Sequence, residues 1–162
     1  MSQIVAIGTH MSGLEQLKIM AERDIRCGFA ETLDIRMTEA RDGHVVFECI
    51  PDVHLYNPNS AVHGGFIATM MDFACGYVAM SKVAPGFAIT TVEIKIAYHK
   101  AVTKNTGAIR AIGSIASSGR RMIFTEAKLL DSNDRLLASA TSSVLVIPIV
   151  TEGQSATGTP AA

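Results

Sequence analysis

The loop that ends in His63, Gly64 and Gly65, together with the apolar helix predicted after it, is the stretch of this sequence best suited to chemistry. The first backbone N–H groups of a helix have no partner within it and lie at its positive end. Because Gly64 and Gly65 have no side chains, an acceptor oxygen can come very near these N–H groups. The three residues therefore indicate a site that polarises a carbonyl group or stabilises an oxyanion.

The predicted helix extends from Gly64 to about Ser81 without a proline, and Asp72 is its only charged residue. At about 100° per residue, its small residues fall on one stripe together with Asp72. The members of that stripe are Gly65, Ala68, Thr69, Asp72, Cys75, Gly76 and Ala79. The stripe indicates close approach of a ligand or of another backbone. The alternative is packing against a second helix, with Asp72 hydrogen-bonded and chemically inert.

Asp72 lies about 12 Å from Gly64 along the helix axis, at roughly 1.5 Å per residue. Across that distance the two residues of one helix cannot both contact the same carbonyl carbon. A second copy of the helix is therefore expected to supply one of them. The sequence thus predicts a site shared between the subunits of a homodimer, with the pairing of two dimers into a homotetramer as a further option.

The composition is that of an ordinary globular chain, with 48% hydrophobic and 18% charged residues over 162 positions. A length of this order favours a single domain with a sizeable core. A formal charge of −1 offers no electrostatic argument for binding nucleic acid or an anionic membrane surface. The central apolar run is short for a membrane span and carries Asp72, so membrane insertion is not expected.

Three cysteines, Cys27, Cys49 and Cys75, are scattered along the chain and form no CxxC motif. An odd number of isolated cysteines predicts free thiols in a reducing compartment, here the cytoplasm, and no zinc site. The N-terminus has no basic region followed by an apolar stretch, so no signal peptide is predicted.

Two kinds of element are predicted before the central helix. Ser12 and Glu15 have the spacing of a capping box, and the apolar residues after them predict a helix over 13–25. From Glu31 the period changes to two, which predicts a strand over 31–38, a turn at 41–43 and a second strand that ends at Pro51. A loop over 52–63 then leads into the central helix.

Four strands are predicted after the central helix, and the first of them has Val92, Ile94, Ile96 and Tyr98 on a single face. The other three cover about 109–116, 121–130 and 136–147. An antiparallel sheet wrapped around one apolar helix fits this order, so the predicted fold class is α+β. The domain is expected to span 12–148, between a loosely ordered segment 1–11 and a disordered tail 149–162.

The run from Asn57 to Gly65, followed by Asp72, resembles the PaaI-like acyl-CoA thioesterases, which have the hotdog fold. Members of that family typically have an asparagine six residues before the histidine of HGG and an acid nine residues after it. Both spacings hold here, and the resemblance extends over about residues 27–147. Thr91 stands where the family often has a serine or threonine near the catalytic carboxylate.

The resemblance implies a hydrolytic mechanism. The Gly64 N–H would polarise the thioester carbonyl, and Asp72 of the partner subunit would act as a general base on water or as a nucleophile that forms a mixed anhydride. Asn57 and Thr91 would orient the water or hold the carboxylate. His63 would shape the loop or contact the thioester.

The resemblance also implies that coenzyme A is bound as part of an acyl-CoA substrate. The candidate contacts are Gly65 in the helix-initiating turn, Lys100, and the pair Arg120 and Arg121 in a glycine-basic turn before the fifth strand. The side chains of Lys100, Arg120 and Arg121 would contact the phosphates of the coenzyme. The alternative is that they are solvated surface charges. No metal and no separate cofactor is implied. Ser60 departs from a common glycine of the family loop.

Two other functions stay open on the sequence. One is a hotdog dehydratase or hydratase acting on acyl thioesters, although the HFP-type motif of that group is missing. The other is a non-catalytic acyl-CoA-binding module, although the N-terminal segment offers no helix-turn-helix. The acyl group is also undefined: Met70, Met71, Phe73, Tyr77 and Met80 either border its pocket or belong to the core.

Overall fold

A computed structural model describes residues 8–149 of the chain. The elements follow in the order α1 (Gly13–Glu22), α2 (Gly28–Thr32), β1 (Arg36–Arg41), β2 (His44–Cys49), a short 3-10 helix (Val53–Leu55), α3 (Gly64–Met80), β3 (Phe87–Tyr98), β4 (Ile109–Ser118), β5 (Met122–Asp131) and β6 (Leu136–Pro148). The predicted tail lies outside the described residues apart from Ile149, and so do residues 1–7 of the predicted N-terminal segment.

The six strands form one antiparallel sheet in the order β1-β2-β4-β5-β6-β3. α3 lies across one face of this sheet and contacts every strand from β2 to β6. β1 and β3 are the two edge strands. The predicted α+β architecture, one antiparallel sheet around one long apolar helix, is confirmed.

The core lies between α3 and the sheet, because α3 is apolar on nearly all sides. Met70 and Met71 have no exposed surface. Gly113 of β4 allows the helix to come close, since a Cβ atom at this position would collide with the carbonyl oxygen of Ala74. No helix within residues 8–149 is both long and apolar enough to cross a membrane.

α1 begins as predicted and ends earlier than predicted. The capping box of Ser12 and Glu15 is formed: the Glu15 N–H donates to Ser12 Oγ at 3.4 Å and the Ser12 N–H donates to Glu15 Oε2 at 2.8 Å. The helix ends at Glu22 rather than at residue 25. Asp24 adopts a φ of 49°, in the left-handed region that a right-handed helix cannot continue through.

The prediction of a strand from residue 31 is wrong. Residues 28–32 form the short helix α2, and β1 begins only at Arg36. Between them Asp34 adopts a φ of 48°, which interrupts both helix and strand. Its carboxylate accepts from Arg26 at 2.9 Å and from Arg36 at 3.1 Å. The contact with Arg26, eight residues away in sequence, is invisible to a local alternating pattern.

The predicted alternation along β3 is wrong at Val92. Thr91 lies opposite Val144 and Glu93 lies opposite Ser143, so Val92 is the extra residue of a β-bulge. Val92 consequently leaves the core face and is 61% exposed. The strand residues after the bulge keep their predicted faces.

Candidate active site

His63 is the N-cap of α3. The Gly65 N–H donates to His63 Nδ1 at 2.9 Å, and the His63 carbonyl oxygen accepts from the Phe66 N–H at 3.0 Å. Because Nδ1 accepts, a neutral His63 carries its proton on Nε2, and the side chain is exposed. His63 therefore shapes the start of the helix and presents an N–H donor to the solvent.

The Gly64 N–H has no acceptor among residues 8–149. The carbonyl oxygen of Gly64 accepts from the Tyr98 hydroxyl at 3.0 Å, which ties the end of β3 to the start of α3. One N–H at the helix start is thus available to an outside acceptor. The N–H group of Gly65, the second predicted donor, already donates to the His63 side chain. Sequence reasoning assigned Tyr98 to a strand face and missed this contact.

Asn57 organises the loop before α3. Its Oδ1 accepts from the N–H groups of Asn59 at 2.9 Å and Ala61 at 3.3 Å. Ser60 within this turn adopts a φ of 61°, a conformation that glycine tolerates better. No hydrogen bond joins Asn57 to Asp72 in the described part of the chain. The predicted role of Asn57 at the carboxylate therefore depends on a second subunit.

Asp72 projects from the middle of α3 and is exposed in the single chain. The Thr91 hydroxyl donates to Asp72 Oδ1 at 2.9 Å. Within residues 8–149 no cation pairs with this carboxylate, and its second oxygen has no donor. The structure thus brings together two of the predicted catalytic residues and leaves one carboxylate oxygen free to act.

The stripe of small residues on α3 divides into two parts. Side chains of β3, β5 and β6 cover its C-terminal half. The buried members are Cys75, Gly76 and Ala79. The exposed or half-buried members are Gly65, Ala68, Thr69 and Asp72. The sheet therefore covers the C-terminal half of the stripe and leaves the first half open.

The predicted basic contacts lie at opposite ends of α3. Lys100 is near the helix start, because the Val102 carbonyl oxygen accepts at 2.8 Å from the loop that precedes α3. Arg120 and Arg121 lie in the β4–β5 turn, at the other end of the helix. They border a groove of about 660 Å³ that also has Lys82 on its wall. The apolar part of the lining includes Val83, Phe87, Ile123, Val146 and Pro148.

The aromatic residues of α3 belong to the core. The rings of Phe73 and Tyr77 lie 5.6 Å and 5.1 Å from the ring of Phe47. Burial raises the pKa of Tyr77 to about 12. Phe29 of α2 extends this cluster to the surface, since it is 58% exposed and lies 6.4 Å from Phe73. Sequence reasoning missed Phe29, which lies between the helix predicted over 13–25 and the strand predicted over 31–38.

The central part of the chain matches a known protein family. Residues 59–138 match the family model described as the thioesterase superfamily. This span contains the start of α3, Asp72, Thr91 and every predicted basic contact. No curated protein sequence matches the chain.

Solved structures share the fold at low sequence identity. A conserved protein of Pseudomonas aeruginosa has a TM-score of 0.72 at 24% identity, over 78% of this chain and 99% of its own. The PaaI protein of the E. coli phenylacetic acid degradation operon has a TM-score of 0.72 at 17% identity, over 84% and 95%. A Streptococcus mutans protein bound to acetyl-CoA has a TM-score of 0.64 at 24% identity, over 70% and 89%. These similarities confirm the predicted fold.

Proposed function

We propose that this chain, whose residues 59–138 match the thioesterase superfamily, hydrolyses an acyl-CoA thioester to a free carboxylic acid and coenzyme A. The observation that carries the proposal is the exposed Asp72 carboxylate, held by the Thr91 hydroxyl at 2.9 Å on the uncovered half of α3. Within the part of the chain that the structure describes, this carboxylate has no cationic partner that would give it a stabilising role, and it stands on a helix face of small residues that leaves room for a ligand. The free Gly64 N–H is the complementary donor.

In the proposed reaction the thioester carbonyl oxygen accepts from the Gly64 N–H, which stabilises the negative charge that develops on it. Asp72 takes a proton from water while the water oxygen attacks the carbonyl carbon. The C–S bond then breaks, and the proton passes to the departing coenzyme A thiolate. Direct attack by Asp72, giving a mixed anhydride that water hydrolyses, is the second route. Thr91 fixes one carboxylate oxygen in both routes.

We infer that a second subunit completes the site. Two copies of α3 that cross antiparallel at Ala68 bring Gly64 of one chain beside Asp72 of the other, because each lies four residues from the crossing point. The small side chains around Ala68 permit such a close approach. The edge strand β3, 12 residues long with Phe87 and Val92 exposed, offers its unpaired backbone to the same partner. Two such dimers could pair into a tetramer.

The antiparallel arrangement also supports a coenzyme A contact for Arg120 and Arg121. The C-terminal end of the partner's α3 would extend past Gly64, and the groove with Lys82 lies at that end. The pantetheine arm separates the thioester from the phosphates, so cations are needed at a distance from the carbonyl site. Acetyl-CoA bound to the Streptococcus mutans protein of the same fold supports this ligand class. Lys100, near the helix start of its own chain, is the second candidate.

The location proposed for this enzyme is the cytoplasm. Cys27, Cys49 and Cys75 are all unpaired. Unpaired thiols are typical of reducing compartments.

A panel of acyl-CoA substrates with a thiol-trapping reagent tests the proposed activity. Saturable release of coenzyme A thiol from at least one member, with the free acid identified by mass spectrometry, is the expected result. Water addition to enoyl-CoA without thiol release would mean a hydratase. Tight acyl-CoA binding without either reaction would mean a binding module. Either of the last two results contradicts the proposal.

Subunit exchange tests the shared site. Asp72→Asn and Gly64→Val should each be inactive as homodimers. Mixing them forms hybrids in which one of the two sites has both an intact Gly64 and an intact Asp72, so activity should return. Confirmed hybrids that stay inactive would show that each site lies within one chain.

Replacing Arg120 and Arg121 together with alanine tests the coenzyme contact. KM for acyl-CoA should rise while kcat stays nearly constant, because the phosphates do not change during the reaction. The effect should vanish with an acyl-pantetheine thioester, which has no nucleotide. An equal loss on both substrates would rule out a phosphate contact.

A further inference from the structure

The β-bulge at Val92 decides which way Thr91 faces. Side chains alternate along a strand, so Ile94 on the core face would put Val92 on that face and Thr91 on the opposite one. The bulge adds one residue, and Thr91 then lies opposite Val144, which is fully buried. Only in this register does the Thr91 hydroxyl reach Asp72 Oδ1, at 2.9 Å.

Ser142 of β6 holds the bulge from the neighbouring strand. Its hydroxyl donates to the Glu93 carbonyl oxygen at 2.7 Å, directly after the bulged residue. The Ser142 side chain is 5% exposed and stands opposite Ile94. A buried hydroxyl group destabilises a fold unless it is hydrogen-bonded. Here the hydroxyl donates to the irregular stretch of backbone that turns Thr91 inward.

We propose that Ser142 is a positioning residue for the hydrolysis. Ser142 locks the Val92 bulge, the bulge turns Thr91 inward, and Thr91 holds the Asp72 carboxylate. This inference rests on the proposed function of Asp72. It adds a residue of β6 that touches neither the substrate nor the carboxylate and lies outside the motif of residues 57–72.

Ser139 is a matched control on the same strand. Its hydroxyl forms a hydrogen bond with His99 Nε2 at 2.8 Å, away from the bulge. Ser139→Ala therefore removes one serine hydrogen bond from β6 and leaves the bulge intact. Differences between Ser142→Ala and Ser139→Ala report on the bulge and not on the loss of a hydroxyl group as such.

Crystal structures of the two variants and of the wild type test the first link, and they need no turnover. In Ser142→Ala the bulge should shift, and the Thr91 hydroxyl should move beyond hydrogen-bond distance of Asp72, more than about 3.5 Å away. In Ser139→Ala the contact should stay as in the wild type. A Ser142→Ala structure that keeps both the bulge and the Thr91–Asp72 contact overturns the proposal.

Steady-state kinetics test the second link. Ser142→Ala should lower kcat about tenfold, the effect of about one lost hydrogen bond, with KM nearly unchanged. Thr91→Val should lower kcat by a similar factor, and the double variant should be no worse than the poorer single one. Multiplying losses in the double variant, or an unchanged kcat in Ser142→Ala, would refute the positioning role. Ser142→Thr keeps the hydroxyl and should recover most of the turnover.

The two measurements separate the inference from the proposed function. A wild type that hydrolyses no acyl-CoA contradicts the thioesterase activity, whereas the crystal structures still decide whether Ser142 sets the Thr91–Asp72 contact. If Ser142→Ala does not fold, Ser142→Cys takes its place, because it keeps the volume and has a weaker donor. Its kcat should fall between those of Ser142→Thr and Thr91→Val, and wild-type turnover in it would count against the proposal.

Discussion

The two halves of α3 carry the same stripe of small residues and meet opposite environments. From Cys75 to Ala79 the stripe is buried against the sheet, whereas from Gly65 to Asp72 it is open. The open half begins with a free N–H and carries the only charge of the helix. Small residues on a helix therefore mark a place of close approach without identifying what approaches. In one half it is the chain's own sheet, and in the other we propose a second subunit and a substrate.

Asp72→Asn tests the open half and should have the largest effect. The amide is nearly isosteric with the carboxylate and cannot take a proton, so kcat should fall by roughly 10²–10⁴-fold. Thermal stability and acyl-CoA affinity should stay close to the wild type. A folded variant within about threefold of wild-type turnover would remove Asp72 from the mechanism.

The alkylation rate of the Cys75 thiol, one helical turn after Asp72, tests where the open half of α3 ends. Burial raises the pKa of Cys75 from 9.0 to about 11. A rise of about two units leaves about a hundredfold less thiolate at pH 8, and alkylation should be at least that much slower than for an unperturbed thiol. Mass spectrometry of peptides after timed alkylation measures this rate. Urea-unfolded protein is the control. If Cys75 were labelled equally fast in the folded protein, the open half of α3 would extend beyond Asp72 to include Cys75.

Gly113→Ala tests the buried half through the sheet residue beneath it. The new methyl group would collide with the Ala74 carbonyl oxygen, so the helix must move away from the sheet. Overpacking of this kind costs about 1–3 kcal/mol in the free energy of unfolding, which urea titration measures.

The matched control is Gly64→Ala in the open half. Its methyl group would lie nearest to the Tyr98 side chain, at an ordinary contact distance of 3.5 Å. Stability should therefore hardly change, while kcat/KM falls because the methyl group crowds the free N–H. Equal losses of stability in the two variants would contradict the division of the helix.

Ser60→Gly should have the smallest effect, a slight gain in stability. It tests whether the backbone of the loop before the open half is strained. Ser60 has a φ of 61°, a conformation that costs a residue with a side chain about 1 kcal/mol. Glycine removes that strain but is more flexible in the unfolded chain, so the net gain should be about 0.5 kcal/mol. A rise in Tm with unchanged kcat is expected. A lower Tm would show that the serine side chain contributes more than the strain costs.

Local sequence patterns predicted the elements well where capping residues, turn residues or the alternation of apolar side chains decided the structure. The capping box of Ser12, the turn at 41–43 and the three strands after residue 108 appear within one to two residues of the predicted bounds at most ends. The pattern failed where a tertiary contact overrode it. Asp34 leaves the strand region, and its carboxylate pairs with Arg26, eight residues away in sequence. Val92 leaves its predicted face because the strand contains a bulge, whose neighbouring carbonyl accepts from Ser142.

The amino-acid sequence by itself determined the long apolar helix, the glycines at its start and the distance of Asp72 from them, because helical geometry converts spacing into position. It also determined the antiparallel sheet through the alternation of its strands. Only the tertiary structure decided that the Gly65 N–H donates to His63, that the Gly64 N–H has no acceptor within residues 8–149, and that the Thr91 hydroxyl donates to Asp72. These facts depend on the register of β3 against β6 and on how far the sheet extends over α3. Neither is encoded in any local stretch of residues.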